Sequence, residues 1–439
     1  MTERSKPRPQ KLTSESPLSA TWRPRVREKA VLVGVGRHMR EEDLDELAAL
    51  AVTAGAEPVV RVIQTRTDPD PATYVGKGKI REVHDAVHGS GSDSVILDSE
   101  LSPGQLRNLE ERLGVKVIDR TALILDIFAL HARSREGKTQ VELAQLNYLL
   151  PRLRGWGEAM SRLGGGIGTR GPGETKLEVD RQHIRKRISR LRGEIKALAR
   201  TRELKRSQRE ASGIPQIAIA GYTNSGKSTM MNALTDAGVL VADQLFATLD
   251  PTTRRLSLPS GRKVVISDTV GFVGKLPHEL VEAFRSTLEE VTLASVILHV
   301  ADASSVLLDG QVAAVREVLG DIGAGGIEEV LALNKADLLA PEERERLANR
   351  FPDAVLVSAR SGEGLEDLVQ KVEAGLPRFP IEVTLLIAFG REDLVARLYR
   401  EAEVLDKETC DTGTVVRARV GERLYREVRE MITASEGPP

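Results

Sequence analysis

The residues best suited to chemistry lie in a short run that begins and ends with glycine and is followed by lysine and serine. Glycines keep Cβ atoms away from a bound group, and backbone N–H groups at a helix start favour dense negative charge. The lysine would reach the β- and γ-phosphates, and the serine hydroxyl would ligate Mg²⁺. The run predicts a phosphate-binding loop, although taken alone it also fits a plain strand-to-helix turn. Its residues are Gly221, Tyr222, Thr223, Asn224, Ser225, Gly226, Lys227 and Ser228, with Thr229 next.

A second motif follows a predicted buried strand and has the composition of a γ-phosphate sensor. The strand ends at Asp268, which places the carboxylate near the water shell of Mg²⁺. The Gly271 backbone N–H could contact the γ-phosphate, so loss of that phosphate would release the segment. The motif comprises Asp268, Thr269, Val270 and Gly271.

Two later motifs are suited to reading a guanine base. The Asp337 carboxylate could accept hydrogen bonds from the N1–H and the exocyclic amine of guanine, a pair that adenine does not offer. Lys335 would lie over the base, and the Ala359 N–H would donate to O6. Four motifs in this order, each beside a predicted strand, predict a GTP-hydrolysing domain. The two base-reading motifs are Asn334, Lys335 and Asp337, and then Ser358, Ala359 and Arg360.

The groups that complete the reaction site are less sharply marked. Three threonines, Thr248, Thr252 and Thr253, are candidates for a further ligand of Mg²⁺ and the γ-phosphate. Many GTPases place glutamine directly after the Asp-x-x-Gly motif to orient the attacking water, and this chain has Phe272 there. We therefore expect slow intrinsic hydrolysis, with water positioning completed by a partner or by the substrate phosphate. The alternative is that Phe272 is packed core and another residue orients the water.

Length and composition limit the class of protein. A chain of 439 residues suggests about three domains. One cysteine, Cys410, excludes an intramolecular disulfide and a cysteine metal cluster. No apolar run approaches the roughly 20 residues of a membrane span. We expect a cytoplasmic monomer without a membrane span.

The order of strand and helix signals divides the chain into five parts, whose fold class is α/β. Residues 1–28 are predicted to be a disordered basic tail. Residues 29–130 alternate strands and helices, which predicts a small parallel α/β domain. Residues 131–212 read as a helical hairpin and residues 213–378 as the P-loop GTPase domain. Residues 379–439 read as a small α+β domain.

Positive charge is concentrated in the hairpin segment. The chain has a net charge of −1, yet residues 131–210 hold 20 Lys/Arg against 9 Asp/Glu, and the remainder therefore carries −12. Apolar residues recur at steps of three and four on two stretches, which indicates a coiled-coil seam. A glycine-rich loop containing Arg162 and Arg170 joins them. We expect the arm and its loop to contact the phosphates of a polyanion. The alternatives are a solvated helical face and a passive hinge.

With these parts in order, the chain resembles an HflX-type GTPase of the Obg–HflX superfamily, from about residue 29 to the C-terminal domain. The resemblance is most specific outside the nucleotide motifs. It is carried by residues 73–79 (TYVGKGK), 140–148 (QVELAQLNY), 151–153 (PRL) and 164–181 (GGGIGTRGPGETKLEVDR). The run Phe246, Ala247, Thr248, Leu249 and Asp250 also matches the family.

The resemblance implies a ribosome-associated GTPase that binds the large subunit and its rRNA and splits or rescues stalled ribosomes. The glycine-rich loop would point toward the peptidyl-transferase region. The match favours Thr248 over the other threonines as a ligand of Mg²⁺ beside Ser228. It also suggests ATP binding by the N-terminal domain, with residues 76–79 as a contact and a solvated turn as the alternative. The residues placed at the reacting phosphate are Lys227, Thr248, Gly271 and Phe272.

Two other functions fit parts of the sequence. One is a ribosome-assembly or RNA-modification GTPase, although neither a Gly-x-x-Gly RNA module nor a catalytic cysteine motif follows the GTPase domain. The other is a GTP-gated RNA-binding module with negligible turnover. The intact Lys227, Ser228 and Asp268 argue against that module, and Phe272 favours it.

Overall fold

The computed structural model of the chain confirms the α/β fold class, with three sheets and a long helical hairpin. None of the helices in the described parts is both long and apolar enough to cross a bilayer. The structure describes residues 27–153, 172–212, 214–235, 245–246, 252–269, 271–274, 290–376, 381–421, 424–425 and 427–428.

The N-terminal domain is a four-stranded parallel sheet, in the order β2-β1-β3-β4, with helices on both faces. Strand β1 is central and almost fully buried because its run of valine, leucine and alanine packs on both faces. The elements are β1 (Lys29–Gly36), α1 (Asp45–Thr53), β2 (Glu57–Thr65), α2 (Lys77–Ser90), β3 (Ser94–Leu97), α3 (Pro103–Leu113), β4 (Lys116–Ile118) and α4 (Arg120–His131).

The hairpin consists of α5 (Arg135–Arg152) and α6 (Pro172–Ser212). Leu146, Ile188 and Leu191 form the buried part of the seam between them, which confirms the predicted coiled-coil contact. The ion pair of Glu142 with Arg187 fixes the antiparallel register at 2.6 Å. Most of the glycine-rich loop lies outside the described residues.

The third unit is a six-stranded sheet in the order β10-β9-β8-β5-β7-β6, in which only β6 runs antiparallel to its neighbour. Parallel strands bring their carboxyl ends, and hence the four motifs, to one edge. Its elements are β5 (Gln216–Ala220), α7 (Lys227–Thr235), β6 (Thr252–Ser257), β7 (Lys263–Asp268), β8 (Val296–Asp302), α8 (Leu308–Asp321), β9 (Glu328–Asn334), α9 (Pro341–Arg350), β10 (Val355–Leu356) and α10 (Leu365–Gly375).

The C-terminal unit is a three-stranded antiparallel sheet covered by one helix. It contains β11 (Ile381–Ala388), α11 (Glu392–Glu401), β12 (Glu403–Cys410) and β13 (Gly413–Val420). Strand β13 is central, and the sheet with its helix confirms the predicted α+β composition. The sequence did not indicate β12, because most of its residues are polar and lie exposed on a sheet edge.

One carboxylate connects three elements of the six-stranded sheet. Glu329 on β9 accepts hydrogen bonds from His299 Nδ1 on β8 at 2.8 Å and from Arg316 Nε on α8 at 2.9 Å. Burial would raise the pKa of Glu329, but the hydrogen bonds and charges of His299 and Arg316 outweigh it and lower the pKa to about 2. The ionised carboxylate therefore stabilises this side of the sheet.

We expect Glu329→Gln to lower the free energy of unfolding by about 2 kcal/mol at neutral pH, because the charged acceptor is lost. The native pKa lies below the ordinary 4.5, so the stabilising contribution is complete above pH 4.5 and is lost as the pH falls toward 2. The difference between wild type and variant should shrink across that range in urea unfolding. The adjacent, exposed Glu328→Gln is the control, and a pH-independent difference would contradict this account.

Candidate functional site

The predicted phosphate-binding loop joins β5 to α7 and requires glycine at both ends. Gly221 has φ +154°, and a Cβ there would lie 2.1 Å from the Val300 carbonyl oxygen. Gly226 has φ +92°, and its Cβ would lie 2.3 Å from Asn334 Nδ2. Any side chain at either position would therefore displace the loop from the neighbouring strands.

The interior of this loop presents a buried cation and two buried hydroxyls. Lys227 Nζ donates to the Tyr222 carbonyl oxygen at 2.8 Å. Burial lowers the pKa of the Lys227 ammonium to about 8, with the Asp268 carboxylate opposing that shift. Within the described chain, Thr223 Oγ1 and Ser225 Oγ have no hydrogen-bond partner. Buried polar groups without partners are expensive, and phosphate oxygens are suitable acceptors for all three.

Ser228 and Asp268 bring two oxygen ligands together beside the loop. Ser228 Oγ donates to Asp268 Oδ2 at 2.8 Å, and Asp268 Oδ1 accepts from the Thr269 N–H at 2.9 Å. The Thr269 hydroxyl donates to the Ile219 carbonyl oxygen at 2.6 Å, which fixes the end of β7 against β5. A hydroxyl and a carboxylate are the hard oxygen donors that Mg²⁺ prefers, so the pair fits the predicted ion.

Asn334 connects the phosphate-binding loop to the base-reading motifs. Its Nδ2 donates to the Ser225 carbonyl oxygen at 2.9 Å, and its Oδ1 accepts from the Ala359 N–H at 3.0 Å. The Ala359 N–H, which is predicted to donate to guanine O6, donates to Asn334 in this structure. A bound base would therefore have to share this donor.

The remaining base-reading side chains line the same edge of the sheet. Asp337 is exposed, and Ser358 Oγ donates to it at 2.6 Å. That hydrogen bond is the main cause that lowers the pKa of Asp337, so the group is a pure acceptor. Lys335 Nζ donates to Asp302 Oδ2 at 2.7 Å, and Arg360 is exposed.

Asp302 is a site residue that the sequence analysis missed. It ends β8 directly beside Asn334, the last residue of β9, and its other oxygen accepts from the Ser304 N–H at 3.0 Å. It thereby orients the Lys335 side chain along the base-binding edge. A signal existed in the sequence, because the apolar strand ends in aspartate just as β7 ends in Asp268.

The structure describes only part of the segment that carries the candidate threonines, here called switch I. Phe246 is 2% exposed and packs edge-to-face on Phe128 of α4, with ring centroids 4.7 Å apart. Ala247, Thr248, Leu249 and Asp250 lie outside the described residues, as does Val270 of the second motif. The alternative threonines lie in β6, where Thr252 is opposite Asp268 and Thr253 opposite Ser267.

Phe272 is a core residue with its backbone against the phosphate-binding loop. Its side chain is 2% exposed and packs with Ala220 and Tyr222. Its N–H donates to the Gly221 carbonyl oxygen at 3.1 Å, and its carbonyl accepts from the Thr223 N–H at 2.7 Å. The packing alternative thus describes the observed position of Phe272. A Cβ at Gly271 would lie 2.9 Å from Lys227 Nζ, so this glycine stands close to the lysine.

Residues of the N-terminal domain also contact this site, which the sequence analysis did not indicate. The Tyr222 hydroxyl donates to Glu46 of α1, and Arg120 Nη2 donates to the Gly274 carbonyl oxygen at 2.6 Å. The first contact spans 176 residues and the second spans 154, so no local sequence pattern indicates either one.

Three family models match the chain. One described as "GTP-binding GTPase N-terminal" covers residues 41–129, and one described as "GTP-binding GTPase Middle Region" covers residues 131–209. A third, described as "50S ribosome-binding GTPase", covers residues 216–335. Together they match most of the chain.

Curated relatives match over more than four fifths of their length. The chain is 47% identical to the GTPase HflX of Caldanaerobacter subterraneus subsp. tengcongensis, over 93% of this chain and 94% of the relative. It is 43% identical to the GTPase HflX of Escherichia coli (strain K12), over 90% and 93%. Among solved structures, a GTP-binding protein of Sulfolobus solfataricus in complex with GDP is 26% identical, over 79% of this chain and 98% of that one, with a TM-score of 0.41.

We expect Asp337→Asn to weaken guanine-nucleotide binding on the order of 100-fold, because an amide nitrogen then faces the donors of guanine. Xanthine carries a carbonyl where guanine carries its amine, so the variant should bind xanthine nucleotides better than wild type does. Fluorescence titration with labelled GDP and XDP measures both affinities. Asp353→Asn, an exposed aspartate away from the motifs, is the control. An unchanged guanine preference would show that Asp337 does not read the base.

Proposed function

Because the chain belongs to the GTPase HflX family, we propose that this GTP-hydrolysing enzyme is a switch that binds the large ribosomal subunit and splits or rescues stalled ribosomes. The match of residues 216–335 to a family described as ribosome-binding supports this assignment. The proposal places the protein in the cytoplasm with ribosomes.

The observation that carries the proposal is the unpaired positive charge on α6. Lys186, Arg192 and Lys196 are exposed and make no ion pair within the described parts of the chain. By contrast, Arg187 is held by Glu142 at 2.6 Å, and Arg190 pairs with Glu194 at 3.1 Å. Cations without carboxylate partners favour phosphates of a polyanion, and rRNA offers a dense array of them.

In the proposed reaction, the chain holds GTP chiefly through backbone N–H groups and the Lys227 ammonium. Entry of the phosphates would bring negative charge next to Lys227 and provide acceptors for the Thr223 and Ser225 hydroxyls. Ser228 and Asp268 would hold Mg²⁺ from the described part of the chain, with Thr248 as the proposed third residue. When bound, the ion neutralises charge on the β- and γ-phosphate oxygens.

The position of Phe272 supports a role for the ribosome in hydrolysis. Its buried ring offers no hydrogen bond to an attacking water, so the side chain of the residue that follows Gly271 contributes packing only. Water orientation would then be completed by the substrate phosphate or by a group from the large subunit. Binding to the subunit would thus accelerate hydrolysis, and loss of the γ-phosphate contact at Gly271 would release the factor.

We expect isolated large subunits, and not small subunits, to stimulate GTP hydrolysis by the purified protein. Steady-state phosphate release with either subunit, and with the protein alone, measures this. Equal slow rates in all three reactions would leave the GTPase activity intact and contradict the ribosomal proposal.

Replacing Lys186, Arg192 and Lys196 of α6 with glutamate tests the helical arm, by phosphate release together with binding to large subunits at several salt concentrations. Hydrolysis without ribosomes should stay unchanged, while large-subunit affinity should fall and its salt slope should decrease by about 2. Arg346→Glu reverses an exposed charge on α9 and should leave both unchanged. Equal loss in the triple variant and the control would indicate a general charge effect rather than a specific contact of α6.

Deletion of residues 155–175 tests the glycine-rich loop. We expect GTP binding to be intact and subunit splitting to be abolished, since the loop is proposed to reach the rRNA. Light scattering of intact ribosomes follows the splitting, and nucleotide titration checks the binding. Unchanged splitting would assign the loop a passive hinge role.

A further inference from the structure

Gly274 lies at the contact between the N-terminal domain and the segment that continues from the Asp268–Gly271 motif, here called switch II, and both of its backbone polar groups are held by side chains. Its N–H donates to the Tyr222 hydroxyl, and its carbonyl accepts from Arg120 Nη2 at 2.6 Å. The Tyr222 hydroxyl and the Arg120 guanidinium both donate to Glu46. We name Glu46, Arg120, Tyr222 and Gly274 the Gly274 clamp.

The clamp is charged and largely buried, with Arg120 and Tyr222 buried and Glu46 half-buried, so its geometry is constrained. The Arg120 side chain is 4% exposed and also donates to Asp98 at 2.5 Å. Burial opposes its charge, but Glu46 and Asp98 outweigh burial and raise the pKa of Arg120. Burial, reinforced by Glu46, raises the pKa of Tyr222, so the phenol keeps its proton and donates it. Removing one partner of such a network leaves the others buried without compensation.

Tyr222 connects this clamp to the phosphate-binding loop. Its carbonyl accepts from Lys227 Nζ, and its backbone forms a bridge with Phe272. A Cβ at Gly274 would lie 2.9 Å from the Tyr222 hydroxyl, so any other residue there would push the hydroxyl away. Val273 adds an apolar anchor, since it packs in the core formed by α1, α4 and α5.

We propose that Glu46, Arg120 and Tyr222 are positioning residues of the switch, through which the N-terminal domain holds residues 271–274 in place to meet a γ-phosphate. The proposal rests on the assignment of this loop as the GTP site. In the clamped position a Cβ at Gly271 would lie 2.9 Å from Lys227 Nζ, so the segment already stands beside the phosphate-binding lysine and need not be ordered first. GDP lacks the γ-phosphate, so its binding does not use this segment. The clamp therefore favours GTP over GDP.

The test compares the affinities of the full-length chain for a fluorescent non-hydrolysable GTP analogue and for fluorescent GDP. Tyr222→Phe removes the hydroxyl and keeps the packing, and Glu46→Gln removes the shared acceptor charge. Each variant is expected to bind the GTP analogue about tenfold more weakly, while its affinity for GDP changes less than twofold. The double variant should lose no more than the worse single variant, because both act through one network. Single-turnover GTP hydrolysis should slow in parallel.

Asp45→Asn is the matched control, because Asp45 is the neighbouring acid of α1 and pairs with Arg61 inside the N-terminal domain at 2.6 Å. It should leave both affinities unchanged. Thermal unfolding of each variant shows whether it is folded, and Tyr222→Phe carries the test where Glu46→Gln unfolds. The proposal would be overturned if both nucleotides bound equally more weakly or if the ratio of the two affinities did not change. Additive losses of affinity in the double variant, or tighter binding of the GTP analogue, would also overturn it. No ribosomes are present, so a failure here is separate from a failure of subunit stimulation.

Discussion

The two hydrogen bonds of the Asn334 side chain bring together loops that are far apart in the sequence. One bond reaches Ser225, 109 residues upstream, and the other comes from Ala359, 25 residues downstream. Both loops leave the carboxyl ends of parallel strands, so a single amide can span them. The close approach also explains the glycine at 226, since any Cβ there would meet Asn334 Nδ2. Phosphate and base recognition therefore share one fixed point.

The N-terminal domain contributes to the nucleotide domain through apolar packing as well as through charge. Leu245 and Phe246, which precede the threonines of switch I, and Val273, which follows Gly271, belong to the same buried cluster as α1, α4 and α5. Moving either segment would expose apolar surface, which is unfavourable in water. The positions of the two switches are thus coupled to a neighbouring core, and a nucleotide acts against that coupling when it reshapes them.

Much of the site was predictable because its determinants are local. The runs around Lys227, Asp268 and Asn334 each combine a buried strand with a loop whose residue types suit one part of the ligand. Strand β12 was not predictable, since a polar edge strand lacks apolar alternation. The contact of Glu46 with Tyr222 was not predictable either, because it spans 176 residues and depends on how two domains dock. Local patterns thus specify elements and motifs, while the docking of domains follows from complementary surfaces.

Helix α6 is continuous over 41 residues, and three residues separate its end from β5, the strand that leads into the phosphate-binding loop. At 1.5 Å per residue it is about 60 Å long. A rotation of about 3° at its base would move its far end by roughly 3 Å, the scale of a hydrogen bond. Any change in the direction of the helix at its base would therefore be enlarged at its far end.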